Sequence, residues 1–340
     1  MIKGKVLVTG GTGYVGTALV PLLAKDRPVR VFCRMDFGNS IAGTPNVEFV
    51  KGDVQDIQAV MAALEGCEAV VHLAGIVTDD LVDMNPDLGF QVNRDATYSI
   101  VRAARQAGVR RFIYASSSSV YGSVDVPATE ETPCHPETAY ALSKLEGEQV
   151  ALAQNVAGFA VCALRSATCM GPSPRMRLDT IVNVFSKQAW FDRRITVHGG
   201  DQWRSNVHVE DAARAYQALL DEPRTELIAG QVYNLSAGYH TALELAQLVA
   251  KVFNSSTAYT YGGFYRKEAT IEVDLTRHDS RHYKLNTDKL GGRLYFRPQY
   301  GVEEAARDNF RFFNKGGLGD PNDPIYYNTR RMEASVKGEK

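Results

Sequence analysis

A tyrosine and a lysine in the middle of this 340-residue sequence have the types and spacing to do chemistry. Tyr140 and Lys144 are four positions apart, which places both side chains on one face of a helix. An ammonium beside a phenol favours the phenolate, so we expect the pKa of Tyr140 to fall from about 10 toward neutral pH. Such a group is a general base for a hydroxyl. Taken alone, the pair is equally typical of a helix surface.

Four consecutive serines, at positions 116–119, follow an apolar run that predicts a strand over residues 111–115. In open parallel sheets, ligands bind beyond the carboxyl ends of the strands. A hydroxyl at this end can hydrogen-bond the same substrate oxygen that Tyr140 acts on. The serine run and the tyrosine–lysine pair together predict acid–base chemistry at one site.

A glycine-rich turn near the start of the chain predicts a phosphate site. Gly10, Gly13 and Gly16 form G-x-x-G-x-x-G between an apolar strand and a helical pattern, with Tyr14 and Val15 between the last two glycines. The first glycine permits the turn, the second lets a phosphate approach the backbone, and the third lets helix and strand pack closely. The helix N-terminus then faces the anion. In this context the turn predicts a bound dinucleotide rather than incidental glycines.

The residues after the second and third predicted strands bear on which dinucleotide binds. The second strand ends at Arg34, with no acid before Asp36. An acid at this place favours NAD and a base tolerates the extra phosphate of NADP, so Arg34 leans toward NADP while NAD stays open. Arg34 could also be a solvated surface residue. Asp53 and Val54 are expected at the adenine edge, although Asp53 could instead cap the next helix.

Regular alternation of strands and helices must position these residues. Strands are predicted at 5–8, 29–32, 47–50, 69–73, 111–115, 161–165 and 232–235, and helices at 14–25, 54–65, 95–106, 181–190, 242–253 and 303–313. Such alternation predicts an α/β fold with parallel strands and right-handed crossovers. The strands are continuously apolar, as expected when both sheet faces are covered.

Several ordered motifs over about residues 4–312 resemble the extended short-chain dehydrogenase/reductase family, in particular its nucleotide-sugar epimerase/dehydratase branch. The motifs are TGGTGYVG at 9–16, VHLAG at 71–75, VN at 92–93, the serines before VYG at 120–122, and Tyr140 with Lys144. The resemblance implies a Rossmann-type doubly wound parallel sheet with a smaller α/β substrate-binding lobe. We expect an NAD(P)-binding domain over 1–171 with segments of about 206–235 returning to it, a substrate-binding lobe over 172–313, and a C-terminal tail over 314–340 that is mobile or docked on a partner.

The resemblance also assigns roles to residues. Ser117 joins Tyr140 and Lys144 in catalysis, and the last two also bind the nicotinamide ribose. Leu73, Ala74, Gly75 and Asn93 belong to the cofactor site, where Asn93 helps to hold the active-site helix.

Positions 199–212 resemble the branch's G-x-G-x-x-R-D-F-x-H-V-x-D motif, in which Arg204 binds the substrate diphosphate. A guanidinium fork suits phosphate oxygens. Arg281 is the candidate for a second diphosphate arginine, and either arginine could instead be a surface cation. Ser118 and Thr168 are further substrate candidates, the latter standing where the branch has asparagine.

Ser118 and Ser119 stand where the branch's dehydratases have Asp-Glu, and related decarboxylases have glutamate in place of Ser119. Serine hydroxyls do not ionise near neutral pH and cannot replace carboxyl groups as proton donor and acceptor, which disfavours elimination and decarboxylation. The resemblance then implies an NAD(P)-dependent nucleotide-sugar epimerase, with C4 as the favoured carbon and Tyr140 as acid/base. The alternative is an NAD(P)H-dependent reductase or dehydrogenase of a nucleotide-linked sugar. A non-catalytic dinucleotide-binding protein ranks last.

The amino-acid composition limits the kinds of molecule that this chain is expected to bind. Lys+Arg 38 against Asp+Glu 39 gives a net charge of −1, without the basic excess that nucleic acid or an anionic membrane attracts. The five cysteines form no C-x-x-C, so neither disulfides nor a zinc or other metal site is expected, and a cytoplasmic location fits. No apolar run is long enough to predict a membrane span. The resemblance implies a homodimer formed by helices near 95–106 and 139–154.

Overall fold

The computed structural model describes residues 2–256, 268–276 and 282–331. Its strands are β1 (Lys5–Thr9), β2 (Val29–Cys33), β3 (Val47–Lys51), β4 (Cys67–His72), β5 (Arg111–Ser117), β6 (Ala160–Ser166), β7 (Thr168–Met170), β8 (Arg194–His198), β9 (Trp203–His208), β10 (Gln231–Leu235), β11 (Tyr239–Thr241) and β12 (Thr270–Asp274). The helices are α1 (Gly16–Leu23), α2 (Ile57–Leu64), α3 (Asp79–Met84), α4 (Pro86–Phe90), α5 (Thr97–Gln106), α6 (Ala139–Leu152), α7 (Ile181–Phe191), α8 (Val209–Asp221), α9 (Ala242–Ser256), α10 (Asp288–Leu294) and α11 (Val302–Asn314).

Seven parallel strands form the central sheet in the order β3-β2-β1-β4-β5-β6-β10. The chain leaves β1 toward one edge and returns at β4 to build the other half. Thr9 at the end of β1 therefore lies opposite His72 at the end of β4. This reversal opens a crevice at the carboxyl ends of β1 and β4, which is where ligands bind in such sheets.

Apolar side chains cover both faces of this sheet, as the continuously apolar strands predict. On one face, α1 and α8 pack over β1, β2 and β6, with Leu19 and Leu219 wholly buried. On the other face, α2 and α5 pack over β4 and β5, with Leu64 and Ile100 wholly buried. The α/β fold class, a Rossmann-type doubly wound sheet, is confirmed.

A separate apolar core holds the second lobe together. It joins α7, α9 and α11 with β8 and β12, and Trp190 packs edge-on against Phe310. The short strands β7, β9 and β11 form a three-stranded sheet beside it. Residues near α10, by contrast, pack with the core of the large sheet through Leu285 and Leu290.

The segment that follows α11 is ordered against the rest of the chain over residues 315–331. The N–H of Leu178 bonds to the Tyr326 carbonyl at 2.9 Å, and Tyr327 is buried in the second core. Composition alone suggested a mobile or partner-docked tail, whereas residues 315–331 pack on the chain itself through Leu318, Tyr326 and Tyr327. Docking of this segment on a partner stays a prediction.

Two helix starts differ from the sequence prediction for identifiable reasons. The helix expected from residue 54 begins at Ile57, because Asp56 accepts hydrogen bonds from the N–H groups of Gln58 and Ala59 and so caps it. Asp53 is therefore not the cap. The helix expected from residue 95 is preceded by a wider π-helical turn over Gln91–Ala96, and α5 proper begins at Thr97.

Candidate active site

A cleft of about 660 Å³ lies at the carboxyl ends of the central strands. It is lined by nearly all the residues that the sequence singled out: Gly10, Gly13, Tyr14, Val15, Gly16, Arg34, Asp53, Val54, Leu73, Ala74, Gly75, Ser117, Ser118, Tyr140, Lys144, Thr168 and Arg204. Asn93 does not line it, and Arg281 lies outside the described residues. Residues from both halves of the chain thus meet at one place.

The glycine turn has the geometry that its three glycines require. Gly10 has a φ of +70°, and a Cβ there would lie 2.8 Å from the backbone nitrogen of Ala74. A Cβ on Gly16 would lie 2.6 Å from the Gly10 carbonyl oxygen, so this glycine allows α1 to meet β1. No side chain caps the start of α1, and its first turn contains no acid. The positive end of the helix dipole therefore faces the cleft and fits an anion.

Arg34, directly after β2, is ion-paired with two carboxylates. Its guanidinium forms ion pairs with Asp36 at 2.7 Å and with Asp53 at 3.7 Å, and all three side chains line the cleft. Arg34 is therefore paired with carboxylates and is not free to bind the extra phosphate of NADP, while Asp36 and Asp53 can accept hydrogen bonds from the hydroxyls of an unphosphorylated ribose. These contacts favour NAD, whereas the sequence position of Arg34 favoured NADP.

Ser117, Tyr140 and Lys144 converge at the inner end of the cleft. Ser117 is the last residue of β5, and its hydroxyl lies 2.8 Å from that of Ser119 and hydrogen-bonds Tyr140. Thr138 fixes the start of α6 by accepting a hydrogen bond from the N–H of Ala141 at 3.1 Å. Tyr140 lies in the first turn of α6 and Lys144 one turn later.

The charges of this trio differ from the sequence-based expectation. Desolvation in the cleft raises the pKa of Tyr140 to about 12, and the hydrogen bond from Ser117 offsets only part of that rise. Burial also lowers the pKa of Lys144 to about 7, with the carboxylate of Glu148 acting in the opposite direction. Lys144 lies over the ring of Tyr114, 4.4 Å from its centre. The prediction that Lys144 brings the pKa of Tyr140 toward neutral is wrong for the chain alone, because desolvation dominates.

Asn93 lies outside the cleft lining and supports the residues that form it. Its amide exchanges two 2.9 Å hydrogen bonds with the backbone of Ile76 and donates another, at 3.0 Å, to the hydroxyl of Ser143. These bonds tie the loop after β4 to α6, and so hold the helix that bears Tyr140 and Lys144. Asn93 is 1% exposed and does not line the cleft, so its assignment to direct cofactor contact is corrected to a supporting position.

A buried ion pair, which the sequence did not reveal, fixes the other side of α6. Arg165 at the end of β6 meets Glu148 through two bonds of 2.6 and 3.0 Å, and Ser116 donates to the same carboxylate at 2.6 Å. Tyr121 accepts a further bond from Arg165 at 2.9 Å. The pair links α6 to β5 and β6, and its fourfold bonding satisfies the two buried charges.

The outer end of the cleft holds the candidate substrate residues. Arg204, on β9, is 3% exposed and donates to the carbonyl of Trp203 at 2.9 Å. The guanidinium lies 5.8 Å from the ring centre of Tyr283, whose hydroxyl is 3.1 Å from that of Thr168. Thr168 and Arg204 therefore lie near one another, as the resemblance implies for substrate contacts.

Sequence reasoning missed three charged residues on the segment between β7 and α7. Arg175, Arg177 and Asp179 all line the cleft, and Arg177 pairs with Asp179 at 2.6 Å. The positive charge of Arg177 lowers the pKa of Tyr140, against the dominant effect of burial. The signal available in the sequence was a charged residue at every second position, 175, 177 and 179, in a proline-containing loop directly after a strand.

Two classes of site find no support in the part of the chain that the structure describes. Within residues 2–256, 268–276 and 282–331, no group of three or more His, Cys, Asp or Glu side chains could hold a metal ion. Among the same residues, no helix combines the length and apolar character needed to cross a membrane.

The sheet order, the glycine turn after β1 and the Ser–Tyr–Lys trio at β5 and α6 define an extended short-chain dehydrogenase/reductase. The sequence model of the NAD dependent epimerase/dehydratase family matches residues 6–236. The chain therefore belongs to this family of enzymes.

Known relatives of this chain include both dehydratases and epimerases. A dTDP-glucose 4,6-dehydratase of Streptomyces niveus is 28% identical over 326 residues, covering 91% of this chain and 92% of the relative. UDP-glucose 4-epimerase 1 of Oryza sativa subsp. japonica is 27% identical over 353 residues, covering 93% and 97%. The structure of MoeE5 in complex with UDP-glucuronic acid and NAD superposes with a TM-score of 0.78 at 26% identity, covering 92% of this chain and 100% of that chain.

Proposed function

We propose that this enzyme is an NAD-dependent nucleotide-sugar 4-epimerase that works through a transient keto-sugar. The observation that carries the proposal is the meeting of Ser117, Tyr140 and Lys144 in a cleft whose positions 118 and 119 hold serines. The first feature supports oxidation and reduction at a carbinol carbon. The serines at positions 118 and 119 cannot act as the carboxylic acid and carboxylate that a subsequent elimination of water would need.

The residues around the cleft fit NAD. The uncapped start of α1 offers N–H groups for the diphosphate, and Asp36 and Asp53 offer acceptors for a ribose. Val54 gives an apolar contact for the adenine edge, and Leu73, Ala74 and Gly75 line the middle of the cleft. When bound, NAD supplies the acceptor and later the donor of a hydride.

The chain's own residues handle the proton. Ser117 holds the sugar oxygen, and Tyr140 takes the hydroxyl proton as C4 is oxidised and returns it when the carbon is reduced on its other face. Because the pKa of Tyr140 is about 12 in the chain alone, added positive charge near the phenol is needed to make it an effective base. Lys144 and Arg177 line this part of the cleft, and NAD⁺, when bound, would bring a further positive charge.

Elimination of water needs a free acid and base beside the keto-sugar. The carboxylates at this end of the cleft are already bound to other residues of the chain. Asp79 accepts from the Thr138 hydroxyl at 2.6 Å, Asp179 pairs with Arg177, and Glu137 accepts from the N–H of Ser123 at 2.9 Å. These bonds support epimerisation over dehydration, although dehydratases are among the relatives.

The substrate is a nucleoside-diphosphate sugar. Arg204 and Thr168 line the outer end of the cleft near Tyr283, and we propose that they contact the diphosphate and the sugar. Arg281 remains a proposed second diphosphate ligand. The relatives act on, or were crystallised with, dTDP- and UDP-linked sugars, which supports the same class here.

The experiment is to incubate the purified enzyme in D₂O with UDP-glucose, UDP-glucuronic acid or dTDP-glucose and to follow the sugars by NMR. We expect a C4 epimer with no solvent deuterium bound to carbon and no net consumption of cofactor. A 4-keto-6-deoxy product carrying deuterium would show a dehydratase, and net reduction of added NAD⁺ or NADP⁺ by these hydroxy-sugars would show a dehydrogenase. Conversion should disappear in Tyr140→Phe and persist in Tyr239→Phe, a control at an exposed tyrosine.

We also propose a homodimer formed through α5 and α6. Tyr98 on α5 is 41% exposed and Leu142 on α6 is 37% exposed, so each helix presents an apolar residue outward. Light scattering should give about twice the chain mass, and a mass of one chain would contradict the proposal.

A further inference from the structure

Arg175 is a buried cation that the proposed mechanism does not use. It is 5% exposed, lines the cleft, and makes one side-chain hydrogen bond, to the Oδ1 of Asn328 at 2.6 Å. Its Nε has no hydrogen-bond partner, and no ion pair joins it to a carboxylate in the described part of the chain. Burial lowers the pKa of Arg175 to about 9, with Arg177 acting in the same direction and the carboxylate of Asp179 in the opposite direction. A buried guanidinium that forms no direct ion pair is a candidate for binding an anionic ligand.

The backbone of the same segment places Arg175 beside the glycine turn. Its N–H lies 3.3 Å from the hydroxyl of Thr17 in the first turn of α1. The nearby Ser173 hydroxyl is 2.6 Å from that of Thr17 and donates to the carbonyl of Tyr14 at 2.8 Å. The guanidinium itself lies 3.7 Å from the centre of the Phe37 ring, in the loop after β2. The cation thus stands next to the helix start that fits a phosphate.

Asn328 reaches this place because the C-terminal segment crosses the mouth of the crevice. Its N–H bonds to Asp179 at 2.9 Å and its amide donates to the carbonyl of Val77, after β4, at 3.5 Å. Three residues on, Arg331 donates to the carbonyl of Asp36, after β2, at 2.8 Å. The segment therefore joins the loops that follow β2 and β4, the two strands on either side of β1.

We propose that Arg175, held by Asn328, binds the diphosphate of the dinucleotide beside the start of α1, and that the C-terminal segment keeps the cofactor in the cleft. The proposal rests on the proposed placement of NAD on the glycine turn. It assigns a cofactor role to two residues outside the glycine turn. It also accounts for the position of Asn328, whose carboxamide aims Arg175 without neutralising it as a carboxylate would.

The test measures binding of NAD, ADP-ribose, adenosine and UDP to the nucleotide-free enzyme by calorimetry. Charge-assisted hydrogen bonds support an expected 10- to 100-fold loss, roughly, of NAD and ADP-ribose affinity in Arg175→Ala. Adenosine, which has no phosphate, should bind as before. Arg330→Ala removes an exposed cation from the same segment and serves as the matched control. Asn328→Asp should weaken both diphosphate ligands, because the new carboxylate competes for Arg175.

The outcomes separate this proposal from the proposed function. Equal NAD affinity in Arg175→Ala and wild type would overturn the diphosphate role while leaving the epimerase intact. Loss of UDP affinity with unchanged ADP-ribose affinity would overturn it too, because Arg175 would then serve the substrate. If Arg175→Ala does not fold, Asn328→Asp and Asn328→Ala decide: unchanged NAD affinity and unchanged NAD release rate in both would refute the proposal. A wild-type enzyme that binds no dinucleotide would refute the proposed function itself.

Discussion

Replacing Lys144 by methionine should change how the stability of the nucleotide-free enzyme depends on pH. Burial lowers the pKa of Lys144 from 10.5 to about 7 in the folded chain. Between these two pH values the unfolded chain binds a proton that the folded chain has released. The free energy of unfolding must therefore rise with pH across that window, and the stability is lost again as the pH falls toward 7.

The magnitude follows from the size of this displacement. Because the pKa falls from 10.5 to about 7, and each pKa unit corresponds to about 1.4 kcal/mol, the whole effect is about 5 kcal/mol. Methionine fills a similar volume and does not titrate. The stability of wild type minus that of Lys144→Met should therefore climb by several kcal/mol between pH 7 and pH 10.5, at a slope approaching about 1.4 kcal/mol per pH unit.

The assay is urea denaturation followed by circular dichroism at half-unit steps from pH 6 to pH 10.5. Taking the difference between the two proteins removes the titration of groups that they share. Lys251→Met is the control, since Lys251 is exposed and pairs with Glu303 at 2.8 Å. If the difference for Lys144→Met stays flat or falls with rising pH, Lys144 is not an uncompensated buried amine, and the account of the site's charges fails.

Three further predictions concern single side chains. Tyr140→Phe should reduce turnover by about 10²- to 10⁴-fold, because it removes the proton acceptor; a rate within threefold of wild type would contradict its role. Glu148→Gln should lower the free energy of unfolding by about 3–5 kcal/mol, since it leaves Arg165 buried without its charge partner, whereas Glu146→Gln, which affects the more exposed ion pair with Arg94, should cost no more than about 1 kcal/mol in the same urea titration. Burial lowers the pKa of His72 to about 3, so the unfolded chain binds the extra proton below its usual pKa and stability should fall as the pH drops from about 6.5 toward 3; His72→Gln should lose this dependence, and an equal acid dependence in both proteins would argue against it.

The parts of the fold that could be predicted are those encoded locally. Continuous apolar runs separated by helical periodicity specify a parallel sheet, and the glycine turn is a contiguous motif, so β1, α1 and their junction followed from sequence. Ser117, Tyr140 and Lys144 were found for a related reason. Each occupies a position defined by its own element, the end of a strand or one face of a helix.

The parts that could not be predicted depend on where distant segments meet. Asn328 and Arg175 are 153 positions apart yet lie 2.6 Å from each other, and no local pattern indicates the contact. The direction of the Tyr140 pKa shift was not predicted, because the sequence shows only the local spacing between Tyr140 and Lys144. The desolvation that raises this pKa depends on all the residues that form the cleft. Composition describes an average, and it does not show that Leu318, Tyr326 and Tyr327 of the C-terminal segment pack on the second core.

The buried pair of Arg165 and Glu148 also limits the routes by which this enzyme could diverge in sequence. Changing either residue alone leaves a buried charge without its partner next to the active-site helix. Changing both to well-packed apolar residues need not lower the free energy of unfolding. The two positions therefore form an epistatic unit, accessible to drift only through a destabilised intermediate or a simultaneous double change. Mutant libraries that alter the cleft for new sugars should vary positions 148 and 165 jointly or leave both untouched.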